Sequence, residues 1–487
     1  MITEILTDLS FLEKGKPFPP DSEQERLRRY EENKLLFEDE HAQVYKTQFE
    51  RIERIVGNFD KVVSYATIFN FQKLTTLKIA DFVFGSSPTI SVNGDEKQKL
   101  INKILMETDF FNKLYISAID VSRYGDSVFQ VAKSKNGRIR LYVTSPSLWF
   151  PVVDNGNIKE FLYHCFCRVY IIDSKKKIYG LKVQIHDPED PSVCREQQYQ
   201  LEGKPGRFRI GDKLTDDEEE RIETELGVCP VFRVSNTPTS DRCFGIDDYS
   251  SIDSIVSELI VRVSQVSKVL DRFSSPAMTG PQSALTYNEE LDRWELRMSD
   301  YYERNNESDP KPEMIVWDAS LDANFKQIEI LINQLYTISE MGSAVFGDLS
   351  HSAGNVASGT ALRRLMISPL AKARRIANSY DRVIKEMLSV CAAVYGTKIN
   401  PTEISIKWND GLPNDPQEEA ELMNTRTGGK ATMSRFRALQ LFDGMSDSDA
   451  DKEIAQIDAD DTAATMGSVP VNEPEVVVTD TGSAVDE

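Results

Sequence analysis

Gly347-Asp348-Leu349-Ser350-His351-Ser352-Ala353-Gly354-Asn355-Val356-Ala357 is the stretch on which the fold turns. It is polar, has hardly an apolar anchor, and lies between two strongly periodic segments. Upstream, Phe325, Ile328, Leu331, Leu335, Ile338 and Met341 recur at helical steps. Downstream, Ser358-Gly359-Thr360-Ala361-Leu362-Arg363-Arg364-Leu365 reads as the capped start of a helix running to about Tyr395. Pro369 interrupts that pattern. It cannot donate to residue 365 and its ring collides with that turn, so a kink is expected there. Held by helices on both sides yet unable to bury itself, the loop is presented to something.

Working outward, Ile252, Ile255, Val256, Leu259, Ile260, Val263, Val266, Leu270 and Phe273 mark another long helix. About 26 residues at 1.5 Å each make a rod of about 39 Å. Ser274-Ser275-Pro276 stops it, and residues 277–320 form a mixed insertion containing Trp294, Tyr301, Tyr302 and Trp317. Nearer the N-terminus, residues 1–20 read as a mobile arm and Ser22-Glu23-Gln24-Glu25 as a capping box opening a helix. Further helices are expected over 62–84 and 95–122. Strands follow around 126–131, 138–143 and 158–163, then to about 185, with 229–234 closing the β-rich part. Ile404 to Trp408 reads as a strand, and short helices are expected at 416–422 and 434–442. The fold class is α+β, mainly helical.

Composition excludes several classes. An apolar content of 40% over 487 residues suits a large buried core, and no run reaches the ~18 apolar residues of a membrane span. Met1-Ile2-Thr3-Glu4 lacks the features of a signal peptide, and six cysteines match neither a disulfide framework nor a zinc pattern, which suits a reducing cytoplasm. Cys165 and Cys167, on one face of a strand, read as buried thiols. The chain carries −21, of which −13 falls after residue 409, with 18 acidic against 5 basic residues. Against this trend, Arg363, Arg364, Lys372, Arg374, Arg375, Arg382 and Lys385 give one helix a basic face; a solvated face satisfied by carboxylates is the plain alternative.

Catalytic motifs are absent. Gly428-Gly429-Lys430-Ala431-Thr432 lacks the first glycine and the preceding strand of a phosphate loop. Four histidines form no helical pair, and no Gly-x-Ser-x-Gly elbow occurs. Asp447, Asp449, Asp451 and Asp458 follow a calcium-loop template, but Lys452 stands where glycine is needed. An acidic helix start accounts for them better. The reading is therefore non-enzymatic, with no metal, cofactor or catalytic residue expected.

The order helix, insertion, helix, polar loop, kinked helix resembles the portal protein of tailed bacteriophages, in the branch of siphophages and prophages of Gram-positive hosts. Asn70-Phe71-Gln72-Lys73-Leu74-Thr75, Tyr124-Gly125-Asp126, Phe244-Gly245-Ile246-Asp247-Asp248 and Trp408-Asn409-Asp410-Gly411-Leu412-Pro413 agree with that texture. The resemblance implies a wing (1–246), stem helices (247–273 and 322–343), a clip (274–321), a tunnel loop (344–358), a kinked helix (359–396), a crown (397–462) and a disordered acidic tail (463–487). It implies a ring of about twelve subunits at a capsid vertex, through which double-stranded DNA is packaged and ejected. Implied partners are the terminase, scaffold or major capsid protein, and a head-completion adaptor. The expected location is the virion, with assembly in the host cytoplasm. Ser350, His351, Ser352 and Asn355 would then face DNA, and Arg363, Arg364, Lys372, Arg374 and Arg375 would meet a neighbouring subunit. Trp294, Tyr301, Tyr302 and Trp317 would make clip contacts. Two alternatives are a metal-dependent nucleic-acid-processing enzyme and a cytoplasmic scaffold that binds no DNA.

Overall fold

The computed structural model describes residues 5–56, 66–134, 136–215, 220–274, 278–279, 285–289, 292–296, 313–314, 321–347, 364–409, 416–428, 430–442, 445 and 447–467. Its contacts divide the chain into two units, Met1–Leu412 and Pro413–Glu487. The break falls later than the expected start of the crown, so residues 397–412 belong to the first unit.

That unit mixes helices and sheets, the α+β class expected. It begins with a correction. Residues 5–20 are no mobile arm: Leu6, Phe11, Leu12 and Phe18 are buried, and β1 (Pro17–Phe18) pairs with Phe208–Arg209. A few scattered apolar side chains suffice once a sheet offers them a face. The helix α1 (Asp21–Phe37) then starts at Asp21 behind Pro20, with no side-chain cap. The expected capping box is therefore not formed. Glu23 instead turns inward to Arg26, 2.5 Å away.

The helix α2 (Lys46–Val56) precedes α3 (Phe71–Phe84), which opens where the Asn70 side chain accepts the Lys73 N–H at 2.8 Å. After β2 (Thr89–Val92), the single helix expected over 95–122 is two, α4 (Asp95–Glu107) and α5 (Phe110–Tyr124). Asp109 at φ +51° breaks the run, and Gly125 at φ +84° closes α5.

Strands β3 (Asp126–Lys133), β4 (Ile139–Thr144) and β11 (Val231–Ser235) form one sheet in the order β11-β3-β4. A second sheet runs β1-β9-β8-β7-β6-β5, built from β5 (Trp149–Val153), β6 (Phe161–Asp173), β7 (Ile178–His186), β8 (Val193–Lys204) and β9 (Arg207–Lys213), with β10 (Glu220–Glu223) beside β8. Every pairing in it is antiparallel. Burial along β7 and β8 alternates over part of their length, whereas all of β5 and four consecutive residues of β6 are buried. Cys165 and Cys167 sit in β6 and are buried. Lacking a charged form to solvate, such thiols behave as small hydrophobes.

Two long helices follow, α6 (Asp253–Ser274) and α7 (Asp322–Ile338), separated by the insertion. Within the insertion, β12 (Met278–Thr279) pairs with β15 (Glu313–Met314), and β13 (Leu285–Asn288) pairs with β14 (Arg293–Leu296), where Trp294 is opposite Tyr287 in register. Tyr301, Tyr302 and Trp317 lie outside the described residues. The helix α8 (Ile367–Val394) buries Ala373, Ile376, Tyr380, Val383, Ile384, Met387 and Cys391, a stripe at three- and four-residue steps. This stripe shares one core with Ile79, Leu114 and Leu141, so α8 is packed into the same body as α3, α5 and β4. The strand β16 (Ile404–Lys407) returns to pair with β2.

The described chain breaks at Met366, which adopts φ −94° and ψ 12°, and α8 starts afresh at Ile367. Pro369 therefore occupies the first turn, where its missing N–H would have had no helical partner. The departure from helical geometry at Met366 lies in the turn preceding the proline, where its ring is expected to collide, and residues 358–363 lie outside the described residues.

In the second unit, α9 (Pro416–Thr427), α10 (Arg435–Phe442) and α11 (Asp447–Gly467) follow in order. The calcium-like stretch 447–458 is helical throughout, not the loop that the template requires. The glycine-containing stretch near 428 is a helix end, with Gly428 N–H donating to Asn424 O. The helix also carries ordered backbone to Gly467, beyond residue 463 where disorder was expected. No helix among the described residues is long and apolar enough to cross a membrane.

Candidate functional site

The polar loop itself, with Ser350, His351, Ser352 and Asn355, lies outside the described residues, as does Arg363. Its two supports are described, and they are built by α7 and α8.

The first support is the end of α7. Leu331 and Leu335 bind this helix to Ile252, Val256 and Ile260 of α6 and its approach. Three other apolar residues of α7 lack such cover, Phe325 being 50% exposed, Ile330 47% and Ile338 44%, while Ile328, Ile332 and Tyr336 are partly buried. A helix apolar on more faces than its own chain covers is incomplete as a monomer surface. Beyond Ser339 the chain turns sharply through Glu340 (φ +61°) and Gly342 (φ +71°), makes one helical turn (Gly342–Val345), and reaches Gly347 (φ +87°). Met341 is buried in the main core, and Phe346 stacks on Tyr336 with centroids 5.2 Å apart.

The second support is the start of α8, tied to the first by three polar contacts. Lys372 Nζ donates to Ser339 O at 3.0 Å. Ser368 Oγ donates to Glu340 O at 3.0 Å, and Arg375 forms an ion pair with Glu340. Lys372 is almost wholly buried and also meets Asp248 Oδ1 at 2.9 Å. Asp248 is held in turn by Asn236 Nδ2 at 3.2 Å, while its own N–H donates to Ser122 O at 2.9 Å. Among the described residues Asp248 Oδ2 has no hydrogen-bond partner.

The five cations expected at a subunit boundary thus separate. Arg364 and Arg374 are exposed, Arg375 is half-exposed on Glu340, and Lys372 is engaged inside its own chain. The Asn236–Asp248–Lys372–Ser339 cluster was missed in the sequence. Its signal is the phase of Lys372, which falls on the apolar stripe of α8 between Pro369 and Ile376, and a lysine there needs a buried partner.

Among the described residues no three His, Cys, Asp or Glu side chains converge as metal ligands. Cys194 and His186 approach to 3.7 Å, yet burial pushes the thiol up to about 12 and the imidazole down to about 4. At neutral pH that pair is a neutral thiol beside a neutral imidazole, without the thiolate a nucleophile requires.

No curated protein matches the sequence. A chain in the virion of a native gene transfer agent (GTA) particle is 10% identical, with a TM-score of 0.43 and coverage of 77% of this chain and 90% of that one. A chain in the neck of an empty GTA particle, computed with C6 symmetry, is 10% identical, with a TM-score of 0.44 and coverage of 76% and 89%. Residues 20–466 match the family described as phage portal protein, SPP1 Gp6-like, and the chain therefore belongs to that family of portal proteins.

Proposed function

We propose that this protein is the portal subunit of a phage-like capsid, closing into a ring of about twelve copies through which double-stranded DNA enters and leaves. The observation that carries the reading is the α7–loop–α8 junction: a polar loop whose two ends are clamped by buried and charged contacts while its own sequence offers nothing to bury. In this reading α6 and α7 are the stem, residues 344–358 the tunnel loop, the insertion the clip, the strand-rich part the wing, and the helices after Pro416 belong to the crown. The terminase, the scaffold or capsid protein and a head-completion adaptor dock on the ring, which has no catalytic role.

The chemistry of the loop suits passage without capture. Each Lys or Arg contact to phosphate releases counterions and strengthens binding, so a cationic constriction would act as a brake. Ser350, His351, Ser352 and Asn355 offer hydrogen bonds without a fixed positive charge. The uncovered apolar side chains of α7 fit heterologous contacts in a closed ring, where one patch meets a different patch on the neighbour. Exposed Arg364 and Arg374 suit the same boundary, facing carboxylates of an acidic neighbour.

Negative-stain images of the purified protein should show channelled rings; monomers under every assembly condition would defeat the proposal. Replacing Ser350, His351 and Ser352 by lysine should leave rings intact and slow DNA packaging, whereas packaging at the normal rate would remove the loop from the channel.

A further inference from the structure

Lys372 and Asp248 are two charges withdrawn from water at the meeting point of three parts of the fold. Their side chains are 6% and 8% exposed. A buried ion pair adds little net stability over apolar residues of similar shape, because desolvation offsets the attraction. Among the described residues Asp248 Oδ2 has no hydrogen-bond partner, so the pair is not fully satisfied. Direction is what the pair supplies. The ammonium is aimed at once toward Asp248 Oδ1, 2.9 Å away, and Ser339 O, 3.0 Å away.

Ser339 follows the last residue of α7, so its carbonyl belongs to a helix end that lacks helical donors. A cation there caps the carbonyl and sits at the negative end of the helix dipole. Unusually, the cap comes from another helix, one turn inside α8. From Ser339 the chain reverses through Glu340 and Gly342, both at positive φ, so a shift of Ser339 is carried directly into residues 340–347. On the other side, Asp248 is bound to Asn236 at the end of β11 and to the Ser122 carbonyl in α5.

We propose that Lys372 and Asp248 are positioning residues: they set the place of the Ser339–Gly347 base relative to α8, and couple it to the Asn236–Asp248 corner of the strand-rich part. A displacement of that corner is thereby felt at the base of the loop. The inference rests on the reading of that loop as channel lining.

The test compares wild type, Lys372→Arg and the paired variant Lys372→Met with Asp248→Asn, which removes both charges together. Melting temperature, ring formation, site-resolved amide exchange and DNA packaging are measured on the full chain. The paired variant should melt near the wild-type temperature and form rings, yet exchange about tenfold faster across 339–347 and package DNA more slowly. Lys372→Arg should restore slower exchange in part. Unchanged exchange at 339–347 would overturn the proposal, as would acceleration spread evenly over the chain with a lowered melting temperature. If the wild type forms no rings, the channel reading fails, while the exchange comparison still decides the positioning role.

Discussion

Single side chains anchor the strand-rich part, and two of them carry measurable consequences. Arg26 is buried, donates to Pro146 O at 2.9 Å and Trp149 O at 3.0 Å, pairs with Glu23, and lies 4.4 Å from the Phe244 ring centroid. Arg26→Met removes these contacts and strands a buried carboxylate. A loss of about 3–5 kcal/mol is expected, read from urea unfolding at pH 7. His164 is buried, accepts from Trp149 Nε1 at 3.2 Å, and has its pKa lowered from 6.5 to about 3, first by burial and then by the charges of His186 and Arg233. The unfolded chain takes up a proton below about pH 6.5 that the folded chain refuses until about pH 3. Stability is therefore lost as the pH falls through that window, by up to about 1.4 kcal/mol per unit. His164→Gln should flatten the slope of unfolding free energy between pH 6 and pH 4; an unchanged slope would contradict the assignment.

Between elements, the decisive contacts are close backbone approaches and helix ends. Gly125 and Gly245 cross so tightly that a Cβ on Gly245 would stand 2.1 Å from Gly125 O. The crossing carries Asn236 N–H to Gly125 O and Gly245 N–H to Asp126 Oδ2, joining β3, β11 and the approach to α6. Gly245→Ala should cost at least about 1–3 kcal/mol by overpacking, measurable as a lowered melting temperature. At the start of α8, Pro369→Ala supplies an amide and removes the ring that separates α8 from residues 364–365. A protected amide at 369 and slower exchange over 366–370 are expected. Fast exchange there would show that something other than the proline ends the helix.

For the whole molecule, the exposed apolar residues of α7 make assembly testable without disturbing the subunit. Phe325 and Ile338 are about half exposed in the single chain, so Phe325→Glu with Ile338→Glu should leave the monomer folded, with an unchanged circular dichroism spectrum. Light scattering should then report loss of the ring. Rings of normal size from that variant would place the subunit contact elsewhere.

Much of the architecture was legible because it is local. The apolar repeats of α6, α7 and α8 are periodic within each segment, and the strands near 126 and 139 alternate in part. The polar loop stood out for the same reason, by what it lacks between Gly347 and Ala357. Two misreadings share one cause, which is that a distant partner decided the outcome. Leu6, Phe11 and Phe18 look like parts of a loose arm until the sheet beneath them exists. By contrast, Asp109 at φ +51° divides its helix locally, and the strand at 404–407 was legible, only its pairing with one more than three hundred residues earlier being added by the fold. Lys372 was grouped with exposed cations by its neighbours in sequence, whereas its partners are Asp248 and the Ser339 carbonyl. Sequence alone determined the long helical segments and the polar character of residues 347–357, since hydrophobic period acts over a few residues. Only the tertiary structure decided which charges are buried and which turns are held, because the free energy of a charge depends on what surrounds it in space.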